Sequence, residues 1–210
     1  MKKIAVIDYG MSNLHSVLKA FQYVTNKNYE ISVAKSIKDI LDASIIVLPG
    51  QGAARSCMQR LSTNYPDLRK HILNKPFFGI CLGFQILFEK SYEDNGVECF
   101  SLIKGSVNSF TGKINSKMKV PHMGWNLVKQ KNNHPLWKSI PDKTFFYFVH
   151  SYYAQTQIKS NECSVTQYGI DFTSSVIKDN IFACQFHPEK SSKYGLQLIS
   201  NFINWSETLK

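Results

Sequence analysis

The chain has 210 residues, enough for one domain with a substantial core, and its 43% hydrophobic and 19% charged residues mark a globular protein. No apolar run approaches the ~20 residues of a membrane helix, and the five cysteines (57, 81, 99, 163 and 184) form no CxxC pair, which points to a reducing, cytoplasmic setting with no disulfide framework. The net charge of +10 invites a nucleic-acid reading, but the lysines are dispersed and no nucleic-acid motif accompanies them.

The first half alternates strand-like and helix-like segments. Residues 3–8 (KIAVID) form an apolar run closing on Asp8-Tyr9-Gly10 and read as a first strand rather than a signal peptide. Ser12 or Asn13 can cap a helix to about Val24, with Leu14, Val17, Leu18 and Phe21 on one face. A strand over 29–34, a short helix over 37–41 and a strand over 44–48 follow, the last ended by Pro49-Gly50-Gln51-Gly52. Helices over 53–61 and 67–73 lead to an apolar strand with Cys81 at its tip, and a helix-like apolar stretch reaches Phe88. The second half is richer in strands, predicted over 102–108, 125–129, 144–152, 164–168, 173–178 and 181–186. The stretch 108–119 is polar and reads as a flexible loop, and 192–205 as a closing helix. No repeat or linker breaks the chain, so residues 1–210 read as a single α/β domain. Its three layers are a central, mostly parallel sheet with helices on both faces, and extra antiparallel strands enter in the second half.

Within this order Gly79-Ile80-Cys81-Leu82-Gly83 is the segment that points to chemistry. Glycines on either side permit a tight strand-to-helix turn. The unpaired N–H groups of a helix beginning after Cys81 favour a thiolate there. Such a nucleophile needs a base, and the base needs a group to orient it. Of the six histidines, His187 ends a strand and is followed by Pro188 and Glu189. Strand alternation sets Ile181, Ala183, Gln185 and His187 on one face and Phe182, Cys184 and Phe186 on the other. The C-terminal tips of parallel strands share a crevice, so Cys81 and His187 can converge. Glu189 can turn back to fix the imidazole tautomer. A metal site on Cys184 and His187 is disfavoured, because the two face opposite sides and no ligand cluster accompanies them.

Residues 79–83 (GICLG) together with 185–189 (QFHPE) resemble the class I, triad-type glutamine amidotransferases, and the resemblance spans nearly the whole chain. The segments 7–10 (IDYG), 121–126 (PHMGWN) and 147–152 (YFVHSY) resemble more narrowly the glutaminase subunits of imidazole glycerol phosphate synthases, enzymes of histidine biosynthesis. The resemblance implies Cys81 as nucleophile, His187 as acid/base and Glu189 as its orienting group. It implies an oxyanion hole from backbone N–H groups at Leu82 and in the loop Gly50, Gln51, Gly52. Gln85 would hold the substrate, Glu93 would receive its α-ammonium, and the backbone at Ser151 and Tyr152 its α-carboxylate. His150 is then structural. Neither a metal nor a cofactor is called for. The chain carries no phosphate-binding signature, so the resemblance assigns the use of ammonia to a (β/α)8-barrel synthase subunit in a heterodimer. That subunit makes imidazole glycerol phosphate and aminoimidazole carboxamide ribotide. Asn13, Met123, Trp125, Tyr147 and Lys190 lie in segments resembling the partner-facing rim. Two positions depart from the pattern: Gln51 stands where a small apolar residue is usual, and Ser12 where glycine is common. A paralogous glutaminase serving another synthase, for instance one amidating a surface sugar, would carry the same triad. A non-catalytic binding subunit would not need it.

Overall fold

The computed structural model describes residues 1–10, 14–25 and 27–209. Strands and helices alternate through β1 (Lys2–Ile7), α1 (Leu14–Val24), β2 (Tyr29–Ala34), α2 (Ile37–Leu41), β3 (Ile45–Leu48), α3 (Ala54–Asn64), α4 (Leu68–Asn74), β4 (Phe77–Ile80) and α5 (Leu82–Gln85). The second half brings β5 (Lys90–Ser91), β6 (Val97–Glu98), β7 (Gly105–Ser109), β8 (His122–Gln130), β9 (Thr144–His150) and β10 (Tyr152–Thr156). It continues with β11 (Glu162–Tyr168), β12 (Ile170–Lys178), β13 (Ile181–Cys184) and α6 (Ser192–Ser206).

These strands join in the order β2-β1-β3-β4-β13-β12-β10-β7-β5-β6, with β11 pairing β12 and leading to β8 and β9. The strands from β2 to β13 run parallel, and β12, β10 and β7 continue the sheet antiparallel. Every residue of β3, β4 and β13 is buried, as strands covered on both faces must be. The period-two alternation of β1 sends Ile4 and Val6 to one apolar cluster, which takes Val17 and Phe21 of α1 and Leu198, Ile199 and Phe202 of α6. Ala5 and Ile7 face the opposite cluster, with Ile40 of α2, Leu61 of α3 and Ile72 of α4. This is the three-layer α/β arrangement that the sequence predicts.

Several elements differ from expectation, among them the short strands β5 and β6, which the sequence does not predict. The helix after Cys81 lasts one turn, because the carbonyls of Ile86, Leu87 and Phe88 accept from Phe100, Leu102, Ile103 and Ser101 instead of continuing the helical ladder. The same bonds delay β7 to Gly105, since Leu102 and Ile103 donate to Leu87. The strand predicted over 144–152 is two strands broken at Ser151: β9 pairs with β8, whereas β10 pairs with β7 and β12. In the polar stretch 108–119, Phe110 is fully buried and packs on His150, Tyr153 and Phe172. The cap predicted at Ser12 or Asn13 lies outside the described residues. No described helix is long and apolar enough to cross a membrane.

Candidate active site

Parallel pairing fixes where the chemistry sits. Leu48 of β3 is in register with Gly79 of β4, and Ile80 with Cys184 of β13. The three strands therefore end side by side and deliver the 49–52 loop, Cys81 and His187 to one edge of the sheet. Cys81 donates its N–H to the Cys184 carbonyl at 2.8 Å, and its own carbonyl accepts from Phe84 and Gln85. Its backbone has φ 56° and ψ −106°. The left-handed strain therefore falls on the cysteine itself, and the neighbouring glycines serve close approach. A Cβ on Gly83 would overlap the Leu48 carbonyl oxygen, and one on Gly79 would lie 2.6 Å from the Gly83 oxygen.

His187 and Cys81 are each 8% exposed. His187 Nδ1 is 2.8 Å from Glu189 Oε1, whose side chain is 4% exposed. Burial alone pulls the His187 pKa down, but the charge of Cys81 beside it and the Glu189 carboxylate outweigh that and raise it to about 10. The ring is therefore an imidazolium at neutral pH, with Nδ1–H donated to Glu189. Among the described residues its buried Nε2 reaches no acceptor at normal hydrogen-bond geometry, and Cys81 is the side chain on that side of the ring that favours its protonated form. A thiolate beside an imidazolium is an activated nucleophile with its proton donor in place.

Around the pair is a cleft of about 350 Å³, within the range of small-molecule sites, lined by Gln51, Gly52, Cys81, Leu82, Gln85, Glu93, Ser151, Tyr152, His187 and Lys190 among others. Nearly every predicted catalytic and binding residue is thus brought together, and Gly50 flanks the cleft beside His187 and Glu189. A separate cleft of about 420 Å³, with Lys131, Gln155, Glu162 and Asp171 in its wall, has neither cysteine nor histidine.

Several groups differ in detail from the sequence reading. The Leu82 N–H opens α5 without a backbone partner among the described residues, as a first-turn N–H should. The Gln51 peptide does not: its N–H and carbonyl both meet the Tyr9 hydroxyl at 3.2 Å. Gly50 permits this, because a Cβ there would sit 2.8 Å from both that hydroxyl and Leu82 Cβ. Gln85 spends both amide hydrogens on protein acceptors, Tyr152 O at 2.9 Å and Gln185 Oε1 at 2.8 Å. It offers the cleft only its carbonyl oxygen and stem. Glu93 Oε2 accepts the Ala54 N–H at 2.6 Å, capping α3 where Ala53 has no side chain to do so. Burial is the main influence raising the Glu93 pKa, with the Ala54 bond opposing it and the Asp94 charge adding to it.

His150 is not the base. Its Nδ1 donates to Tyr152 O and its Nε2 accepts from His122 Nδ1, each at 2.8 Å. Burial lowers the pKa of His150 to about 3 and of His122 to about 4, so both are neutral. Sequence reasoning placed Gln185 on the His187 face but gave it no role. Its Nε2 lies 3.6 Å from Cys81 Sγ. Tyr9 was likewise seen only as part of a motif. Among the rim residues, Met123 and Trp125 are 62% and 51% exposed. Tyr147 packs edge-on against Trp125, and Lys190 Nζ stands 5.9 Å over the Tyr147 ring. Exposed Phe145 and Leu127 extend the same apolar face. Asn13 lies outside the described residues.

The chain matches the family described as "Glutamine amidotransferase class-I" over residues 5–205. It is 44% identical over 207 residues to the imidazole glycerol phosphate synthase subunit HisH of Hydrogenovibrio crunogenus, covering 98% of this chain and 97% of that protein. It is 46% identical over 208 residues to the same-named subunit of Nitrosococcus oceani, covering 98% and 99%. Among solved structures, PurLQS from Thermotoga maritima superposes with a TM-score of 0.70 at 18% identity, covering 97% of this chain and 98% of that one. A glutamine amidotransferase from the same organism gives 0.64 at 16%, covering 99% and 84%. At such identities the structures speak for the fold alone.

Proposed function

We propose that this chain, which belongs to the class-I glutamine amidotransferase family, hydrolyses glutamine to glutamate and ammonia as the glutaminase subunit of an imidazole glycerol phosphate synthase in histidine biosynthesis. The observation that carries the reading is the Cys81 turn beside the buried His187–Glu189 pair at the ends of adjacent parallel strands. The Cys81 thiolate attacks the carboxamide carbon of glutamine. The Leu82 N–H stabilises the oxyanion, an effect worth about 3 kcal/mol per donor in comparable sites. Turning the Gln51 peptide away from Tyr9 supplies a second donor. His187 gives its proton to the departing ammonia and then takes one from the water that cleaves the thioester, releasing glutamate. Glu93 and the Ser151–Tyr152 backbone hold the α-ammonium and α-carboxylate of the amino acid, and Gln85 forms the wall between them and the thiol.

Ammonia is used on a second subunit. The relatives' names support a synthase of several subunits, and the exposed face of Met123, Trp125, Phe145 and Tyr147 supports a (β/α)8-barrel partner docking there. Lys190 joins that face to the cleft. The five cysteines are all free, which suits the cytoplasm. Cys81→Ala is expected to abolish glutamine hydrolysis, measured as glutamate release, while the complex with the barrel subunit still forms on a sizing column. Hydrolysis retained by that variant would remove the nucleophile from the scheme. The partner is checked by capture from native extract.

A further inference from the structure

We propose that Gln185 is a positioning residue for Cys81: a buried chain of two amides aims one of its N–H groups at the sulfur and anchors that aim to the Tyr152 carbonyl. The proposal rests on the reading of Cys81 as nucleophile and adds a donor to its surroundings.

The orientation of both amides follows from the chemistry of their partners. A backbone carbonyl only accepts, so the Gln85 atom 2.9 Å from Tyr152 O must be Nε2. That nitrogen has no lone pair to offer. The Gln185 atom 2.8 Å from it must therefore be the acceptor, Oε1. Nε2 is then left at the other end of the Gln185 amide, and it is the atom 3.6 Å from Sγ. Reversing Gln185 would set nitrogen against nitrogen, and reversing Gln85 oxygen against oxygen, in a buried site where Gln185 is 0% exposed and Gln85 6% exposed. Besides His187, the Val149 carbonyl also contacts the sulfur, at 4.0 Å. An N–H at the sulfur favours the thiolate, whereas that carbonyl favours the thiol. The titratable groups around the cleft are His187, His150, Glu93, Tyr152 and Lys190, with Glu189 beside His187 and Cys184 behind the strand. The amide chain ends on the segment assigned to the substrate's α-carboxylate.

The test uses the full chain. Alkylation of Cys81 by iodoacetamide, followed by mass spectrometry across pH, reports the thiolate independently of glutamine. Glutaminase kcat and KM are measured with the synthase partner bound. Gln185→Glu still accepts from Gln85 but sets a carboxylate at the sulfur. We expect its alkylation midpoint to move to higher pH and its kcat to fall about tenfold or more, with KM within about twofold. Gln185→Met, which buries no charge, carries the same test if the Glu variant does not fold. A folded variant with the native alkylation midpoint and kcat, or a loss confined to KM, overturns the proposal. If Cys81→Ala instead retains hydrolysis, the reading of Cys81 as nucleophile fails, while the alkylation profile still decides whether Gln185 favours the thiolate.

Discussion

Replacing Glu189 by Gln tests the electrostatic core of the site. The carboxylate is buried, accepts from His187 Nδ1 on Oε1 at 2.8 Å, and has no hydrogen-bond partner on Oε2 among the described residues. Its contribution is therefore one charge-assisted bond. A bond of that kind stabilises by about 1.5–3 kcal/mol, against about 0.5–1.5 for a neutral pair. The amide of Glu189→Gln keeps the acceptor and loses the charge, which removes about 1–2 kcal/mol from the imidazolium, or about five- to thirtyfold in rate. The amide NH₂ also takes the place of Oε2, where no acceptor awaits it. With the imidazolium weakened, the thiolate forms only at higher pH. The assay is kcat for glutamine hydrolysis across pH in the complex, with Cys81 alkylation in parallel. We expect kcat at neutral pH to fall within that range and the acid limb of both profiles to move upward. A variant with native kcat and native profiles would refute the assignment of Glu189 as the group that holds His187 charged.

Other outcomes follow from the same geometry. Gly83→Ala forces a methyl into the Leu48 carbonyl, and chemical denaturation is expected to show a loss of about 3 kcal/mol or more, because neither backbone can give way. The buried pair His122 and His150, with pKa values lowered by burial to about 4 and about 3 from 6.5, makes the fold acid-sensitive. The unfolded chain binds protons there that the folded chain refuses, so the stabilisation is complete above about pH 6.5 and is lost as pH falls through about 4 and then about 3. His122→Gln should accordingly move the acid midpoint of unfolding, followed by circular dichroism, to lower pH. Trp125→Asp, at a half-exposed position of the apolar face, should weaken capture of the barrel subunit about tenfold or more in titration calorimetry, with the fold intact.

Much of the fold is legible in the sequence because its signals are local. The strand and helix at 29–34 and 37–41 are found as predicted, and the fully apolar strands of the sheet centre announce burial on both faces. Elements set by distant pairing are not legible in this way. Ile86, Leu87 and Phe88 look helical, yet they are buried on every side and their carbonyls are claimed by residues 100–103. Nothing near Ser151 announces that the chain changes ladder there. The triad positions are visible because a glycine-flanked cysteine and a strand-end His-x-Glu are rare local patterns. Whether an amide or peptide is free depends on neighbours remote in sequence. The sequence thus does not show that Tyr152 and Gln185 hold the Gln85 amide, or that the Gln51 N–H meets the Tyr9 hydroxyl. Period-two alternation did place Gln185 on the reactive face, and it is the one signal that could have found that residue.

The dihedral angles of Cys81 bear on how this protein tolerates change. A non-glycine residue held there costs about 1–3 kcal/mol, a sizeable share of the stability of a marginally stable domain. Glycine would adopt the same turn without that penalty, at the loss of one small side chain from the apolar cluster. Laboratory selection for heat resistance alone would thus favour erasing the sulfur, and only a screen that also demands released ammonia keeps it.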